Sequence, residues 1–193
     1  MNYLGHLYFS DDNHALMLAN LFGDFVKGKD LSAYHPSIQH GITLHRSIDK
    51  YIDSHPEVLR LLKILYPHLP KVSGIAVDLF FDHLLAKNWE QHHPQQLLDF
   101  LDLFYRSIDS NISGYTPEFQ AMIQQLVRVN WISYYPRLDG LEKALHGVSS
   151  KISFPNELKN GIAVFNAYET EIISVFERFM TDARQHFNVS YSK

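Results

Sequence analysis

Apolar positions recur every three to four residues along nearly the whole chain, the period of helices that turn one face to a core. Leu16, Leu18, Ala19, Leu21, Phe22, Phe25 and Val26 predict a first helix over 13–26, with Gly28 stopping it as a C-terminal cap. A polar loop covers 29–36. Ser37 then caps a second helix over 37–54, which ends before Pro56. Pro56 opens a third over 56–65, as a first-turn proline does. After a break at 66–70, a fourth helix over 72–89 is apolar nearly all round and belongs at the centre of the protein. A fifth covers 94–108, and 111–115 is a loop. Thr116, Pro117 and Glu118 supply a cap, a first-turn proline and an acidic first turn to a sixth helix reaching 131. A seventh spans 138–148. The last and longest runs over 156–187, with Phe165, Tyr168, Ile172, Val175, Phe176 and Phe179 read as core rather than a dimer face. The tail 188–193 is polar and expected to fray. The expected fold is all-α: one domain over 1–193, a bundle of about eight helices.

Three pairs of metal-capable polar residues sit four positions apart inside this apolar pattern: Asn20 with Asp24, His45 with Asp49, and Asp78 with Asp82. Residues at that spacing share a helix face. A buried, unpaired carboxylate is very costly, and a divalent cation is the simplest shared partner for several of them. The candidate ligands are His6, Asp24, His45, Asp49, Asp78, Asp82 and His83. Histidine nitrogen mixed with carboxylate oxygen suits Mn²⁺, Mg²⁺, Fe²⁺ or Zn²⁺, and an oxygen-rich set leans towards Mg²⁺ and Mn²⁺. Such an ion acidifies a bound water and polarises a phosphoryl oxygen. Asn20 is expected to support a ligand by hydrogen bonding rather than to bind the ion. Asp24, near a helix C-terminus, opposes the helix dipole and so needs a compensating cation. Blander readings stand beside these. His83 also fits a satisfied core histidine, Asp53 a solvated pair with Arg46 or Lys50, and His92-His93 a solvated loop.

Composition removes several chemistries. The 193-residue chain has no cysteine, so disulfides, thiol nucleophiles and thiolate zinc sites are excluded. Aromatic residues make up 13%, which predicts a core of large rings. A net charge of −4 argues against non-specific nucleic-acid binding. No signal-peptide pattern and no membrane-length apolar run is found, which points to a soluble, cytoplasmic protein. There is no G-x-S-x-G elbow, glycine-rich phosphate loop, or H-E-x-x-H.

The runs MNYLGH at 1–6, NLFGDFVKG at 20–28, GITLHRSID at 41–49 and DLFFDH at 78–83, followed by Trp89, resemble the bacterial acyl carrier protein phosphodiesterase family, also called acyl carrier protein hydrolase. The resemblance covers the whole length, most diagnostically the N-terminal half. It implies hydrolysis of the phosphodiester joining 4′-phosphopantetheine to a serine of holo-acyl carrier protein, by metal-activated water. It also implies dependence on a divalent cation, manganese first with magnesium or iron(II) as alternatives, and a divergent, all-helical HD-type phosphohydrolase. On this reading Asp24, His45, Arg46 and Asp78 act in catalysis, and Asp24, His45, Asp49, Asp82, His83 and His6 hold metal. Carrier proteins are acidic, so Lys27, Lys29, Arg46 and Lys50 form the candidate docking surface. An HD-type hydrolase of a nucleotide or other small phosphodiester, and a non-enzymatic carrier-protein-binding module, are the competing readings. No oligomeric state is assigned.

Overall fold

The structure is a computed structural model that describes residues 1–109, 112–189 and 191. Asn111, which opens the expected loop, and Ser190, Ser192 and Lys193 of the expected tail lie outside the described residues. Among the described residues the chain is all-α, without a strand. The helices are α1 (Tyr3–Tyr8), α2 (His14–Leu21), α3 (Pro36–Ser54), α4 (Pro56–Leu65), α5 (Ser73–Lys87), α6 (Trp89–His92), α7 (Leu97–Ser107), α8 (Pro117–Val129), α9 (Leu138–Ser149), α10 (Gly161–Ala167) and α11 (Glu169–His186).

The central helix is where the pattern puts it. α5 packs against α1, α4, α9 and α11, and its Ala76, Phe80, Phe81, Leu84 and Leu85 are fully buried. Rings build the core around it: Phe80 lies 5.2 Å from Phe165, and Phe81 lies 5.4 Å from both Phe176 and Phe179. Phe165, Ile172, Val175, Phe176 and Phe179 are thus core, as expected. α2 and α3 are in close contact at Gly41, where a Cβ would lie 2.3 Å from Ala19 Cβ. Only glycine admits that approach.

The departures have local causes. The sequence pattern predicts no helix at α1, which is only six residues long and whose Asn2, at the cap position, makes no side-chain capping bond. The first predicted helix begins as foreseen, with Asn13 Oδ1 accepting from Leu16 N–H at 3.0 Å. It tightens to a 3₁₀ turn over Phe22–Phe25, so Gly28 (φ 81°) serves a later turn and does not cap the helix. His35, not Ser37, caps α3, and Pro36 takes the first helical position. The fifth predicted helix is α7, which begins at Leu97 and not at 94, and the short α6 follows the fourth, with the Trp89 indole N–H donating to Gln95 O across the gap between α6 and α7. α8 stops at Asn130, which adopts a left-handed conformation (φ 50°), and a 3₁₀ turn follows over Trp131–Tyr134. The long final helix is broken at Tyr168, whose hydroxyl is 2.7 Å from His68 Nε2. The tail docks in part, since Val189 is buried and the Tyr191 hydroxyl donates to Tyr8 O at 2.7 Å. His93 is buried and lies 3.0 Å from Asp12 Oδ1, so it does not belong to a solvated loop.

Candidate active site

Helix α3 presents His45 and Asp49 one turn apart, and α1 brings His6 against them. His45 Nε2 lies 3.1 Å from Asp49 Oδ2, and His6 Nε2 lies 3.3 Å from Asp49 Oδ1. The two imidazoles stack at 4.1 Å with an interplanar angle of 13°. Asp24, on the 3₁₀ turn, reaches His45 Nε2 at 3.3 Å. Gly23 makes this possible: a Cβ there would lie 2.2 Å from the His45 ring. Donor atoms of His6, His45 and Asp49 all lie within 4.8 Å of one another. His6 and Asp49 open on a cavity of about 420 Å³ also lined by Asp24, Asp53 and Asp78.

The network behind His6 fixes its tautomer. Ser10 Oγ donates to His6 O at 2.8 Å, and Asn20 Nδ2 donates to the same carbonyl and to Ser10 Oγ, both at 3.0 Å. The Asn20 amide is thereby oriented with Oδ1 facing His6 Nδ1 at 2.9 Å, which makes Nδ1–H the donor. Burial lowers the pKa of His6, with the neighbouring His45 acting in the same sense and Asp49 opposing. A neutral His6 then points a bare Nε2 lone pair at a carboxylate oxygen. Two lone pairs facing one another call for a cation between them, so the donor set fits a divalent metal ion. Burial pulls the His45 pKa down, but hydrogen bonds to Asp24 and Asp49 outweigh it and push the value up to about 9. Asp49 is held well below the usual carboxylate range: burial opposes this, and the hydrogen bond from the protonated His45 is the first cause that prevails over it.

The remaining sequence candidates are distributed differently. Asp78 lines the cavity but pairs with the Met1 ammonium at 2.9 Å. Asp82, fully buried, is turned away from the histidines and caps α1. Its Oδ2 accepts from Leu4 N–H at 2.7 Å, and Oδ1 accepts from Asn2 and Gly5 N–H at 3.2 and 3.1 Å. Burial pushes Asp82 up to about 7 against the Met1 ammonium and those N–H groups. His83 is satisfied in the core, with Nδ1 2.6 Å from Tyr135 O. Neither joins the His6–His45–Asp49 group, which corrects the ligand set expected from spacing. Arg46 donates to Val26 O at 3.1 Å and so secures the end of the turn that carries Asp24. Lys27, Lys29 and Lys50 are exposed. Asp53 is exposed, as expected, and also lines the open cavity, where partial burial and then Asp78 and Asp49 raise its pKa. Its spacing from Asp49, again four residues, was the available signal.

A family model for acyl carrier protein phosphodiesterase matches residues 1–183. A protein of that name from Enterobacter sp. (strain 638) is 26% identical over 189 residues, covering 95% of this chain and 98% of the relative. Its namesake from Pectobacterium atrosepticum is 33% identical over 150 residues, 77% and 78% of the two chains. That from Photorhabdus laumondii is 32% identical over 152 residues, 78% and 77%. No solved structure matches the chain. With a match running through α1, the 3₁₀ turn, α3 and onward to the end of α11's buried face, this chain belongs to the acyl carrier protein phosphodiesterase family.

Proposed function

We propose that this chain hydrolyses the phosphodiester joining 4′-phosphopantetheine to a serine of holo-acyl carrier protein, giving the apo protein and 4′-phosphopantetheine. We read residues 1–193 as one catalytic domain, working in the cytoplasm; no helix among the described residues is long and apolar enough to cross a membrane. His6, His45 and Asp49 are the residues that would hold the divalent ion, with Asp24 completing the set from its exposed turn. The observation that carries this reading is the bare His6 Nε2 facing Asp49, with Nδ1 committed to Asn20. Two imidazoles and one carboxylate favour Mn²⁺ or Fe²⁺ over the harder, oxygen-seeking Mg²⁺. His45 with Asp49 one turn later is also the feature that supports a divergent HD-type site.

A bound divalent ion there supplies positive charge for phosphoryl oxygens and acidifies water. The protein does the rest. Asn20 and Ser10 hold His6 in one tautomer, Gly23 lets His45 seat against the 3₁₀ turn, and Asp49 links both imidazoles. Asp24, 65% exposed, meets His45 Nε2 through Oδ1, which leaves its other oxygen, Oδ2, to take a proton from the attacking water. The acids lining the cavity would repel a phosphodiester unless a cation intervened, which ties substrate entry to metal loading. Holo-acyl carrier protein incubated with the chain and Mn²⁺ should lose the phosphopantetheine mass by mass spectrometry. An unchanged mass at every metal tried would remove the proposed reaction.

The His45 pKa gives a signed prediction. In the metal-free chain the folded value is about 9, above the ordinary 6.5, so the stabilisation from this proton is complete below pH 6.5 and lost as pH rises through 9. A metal ion must displace the same proton, so its gain in Tm should grow from pH 6.5 to 9. A Tm increment from Mn²⁺ that stays flat over this window counts against His45 as a ligand. On the docking side, reversing charge at Lys27 and Lys29 should raise KM for the carrier protein about fivefold at low salt, an effect that fades as salt is added. An unchanged KM at low salt removes these two lysines from the interface.

A further inference from the structure

A second cavity, of about 570 Å³, opens beside the first and meets it at Asn2 and Val148, which line both. Its wall is aromatic: Tyr3 and Trp131 pack edge to face at 5.6 Å, and Tyr134 stands beyond them. Val129 and Tyr134 are 45% and 46% exposed, a cost that a free surface offers no return for. Its charged lining residues are Lys143 and Lys151, and Lys143 Nζ lies 5.9 Å above the Tyr134 ring and 3.6 Å from Asp139. Burial and then the Asp24 charge raise the Tyr3 pKa, which places its phenol within the field of the metal-side acids.

We infer that this groove, formed by Tyr3, Trp131, Tyr134, Ala144 and Gly147, seats the pantetheine arm of the substrate while the phosphodiester lies in the adjoining His6–Asp49 cavity. The inference rests on the proposed phosphodiesterase reaction and says which surface recognises the arm. Pantetheine is an uncharged, flexible chain with a branched dimethyl carbon, two amides and a thiol. Such a chain needs apolar and aromatic walls with a few polar contacts, and a volume within the range of small-molecule sites. Its phosphate end needs charge. The two joined cavities divide in the same way, one aromatic and one lined by ligands for a cation.

Gly147 provides the test. It lies on α9, lines the groove, and has no atom within 4 Å of a built Cβ, so Gly147→Leu fills the groove without a clash and replaces a poor helix former. Gly74, on α5, is equally open but lines neither cavity, so Gly74→Leu is the control. Pantetheine, lacking the phosphate, is titrated into each metal-loaded chain by calorimetry, and kcat/KM is measured with holo-acyl carrier protein. Wild type and Gly74→Leu should bind pantetheine and agree within about twofold in kcat/KM. Gly147→Leu should keep its Tm, lose pantetheine binding, and drop about tenfold or more in kcat/KM. Undiminished binding by Gly147→Leu, or none by wild type, overturns the groove. A chain that binds pantetheine in the groove yet never cleaves the carrier protein supports the groove and defeats the reaction. One that cleaves without binding pantetheine does the reverse.

Discussion

His45→Ala should abolish turnover of holo-acyl carrier protein by a factor of about a thousand or more, some 4 kcal/mol of transition-state stabilisation. Among the described residues, His45 is the side chain that pairs with both Asp24 and Asp49, at 3.3 and 3.1 Å. Without it, the metal loses a nitrogen donor and the two carboxylates face each other across a gap. The fold should survive, because the ring is held mainly by those two acids and its Nδ1 has no hydrogen-bond partner among the described residues. Mn²⁺ affinity, read by calorimetry, should fall along with activity. Asn20→Ala should act in the same direction through His6, by about ten- to a hundredfold in metal affinity, since it only orients the ring. A His45→Ala chain that binds Mn²⁺ as wild type and turns over normally would dismantle the proposed metal centre.

The parts of this site that were legible in the sequence lie within single helices. His45 and Asp49 come together because a helix puts residues four apart on one face, and α3 is a regular helix throughout. The same rule selected Asp78, which lines the cavity, and Asp82, which does not, because spacing tells which face a side chain occupies and not what meets it there. What meets Asp82 is the N-terminus of α1, a six-residue helix with no capping bond of its own. The sequence therefore hid the helix and its cap together: α1 has no local signal, and the residue that completes it lies nearly eighty positions away. Asp53 is exposed, as its sequence context suggests, but that context does not show the cavity it also lines. It has lysine and arginine neighbours in the sequence, while the cavity it lines is closed by residues from α1, the 3₁₀ turn, α5 and α9, far from it in the chain. The all-α fold and the central place of α5 were readable because they depend on periodicity summed over many residues. The break at Tyr168 was not, because it rests on a contact with His68, a hundred positions away.

Asp82→Ala should therefore read as a stability variant first. The substitution leaves the Asn2, Leu4 and Gly5 N–H groups without an acceptor, two of the three bonds being fully buried. At about 1–3 kcal/mol for each orphaned donor, a loss of about 3–5 kcal/mol is expected, enough to lower Tm by about 10 °C or more in a chain of this size. Activity should fall only because α1 carries His6, so added Mn²⁺ should recover part of both Tm and turnover by mass action on the folded state. Asp82→Asn keeps one acceptor and should be milder. Its pH dependence separates a cap from a ligand. The Asp82 carboxyl is pushed up to about 7 when folded, mainly by burial, against about 3.9 when unfolded, so wild type loses stability from this group as pH rises between those values. The asparagine does not titrate, so the gap between wild type and Asp82→Asn should narrow from pH 4 to pH 8 in thermal melts of metal-free protein. If Asp82 were instead a ligand, Asp82→Ala would melt like wild type without metal, and added Mn²⁺ would no longer raise its Tm.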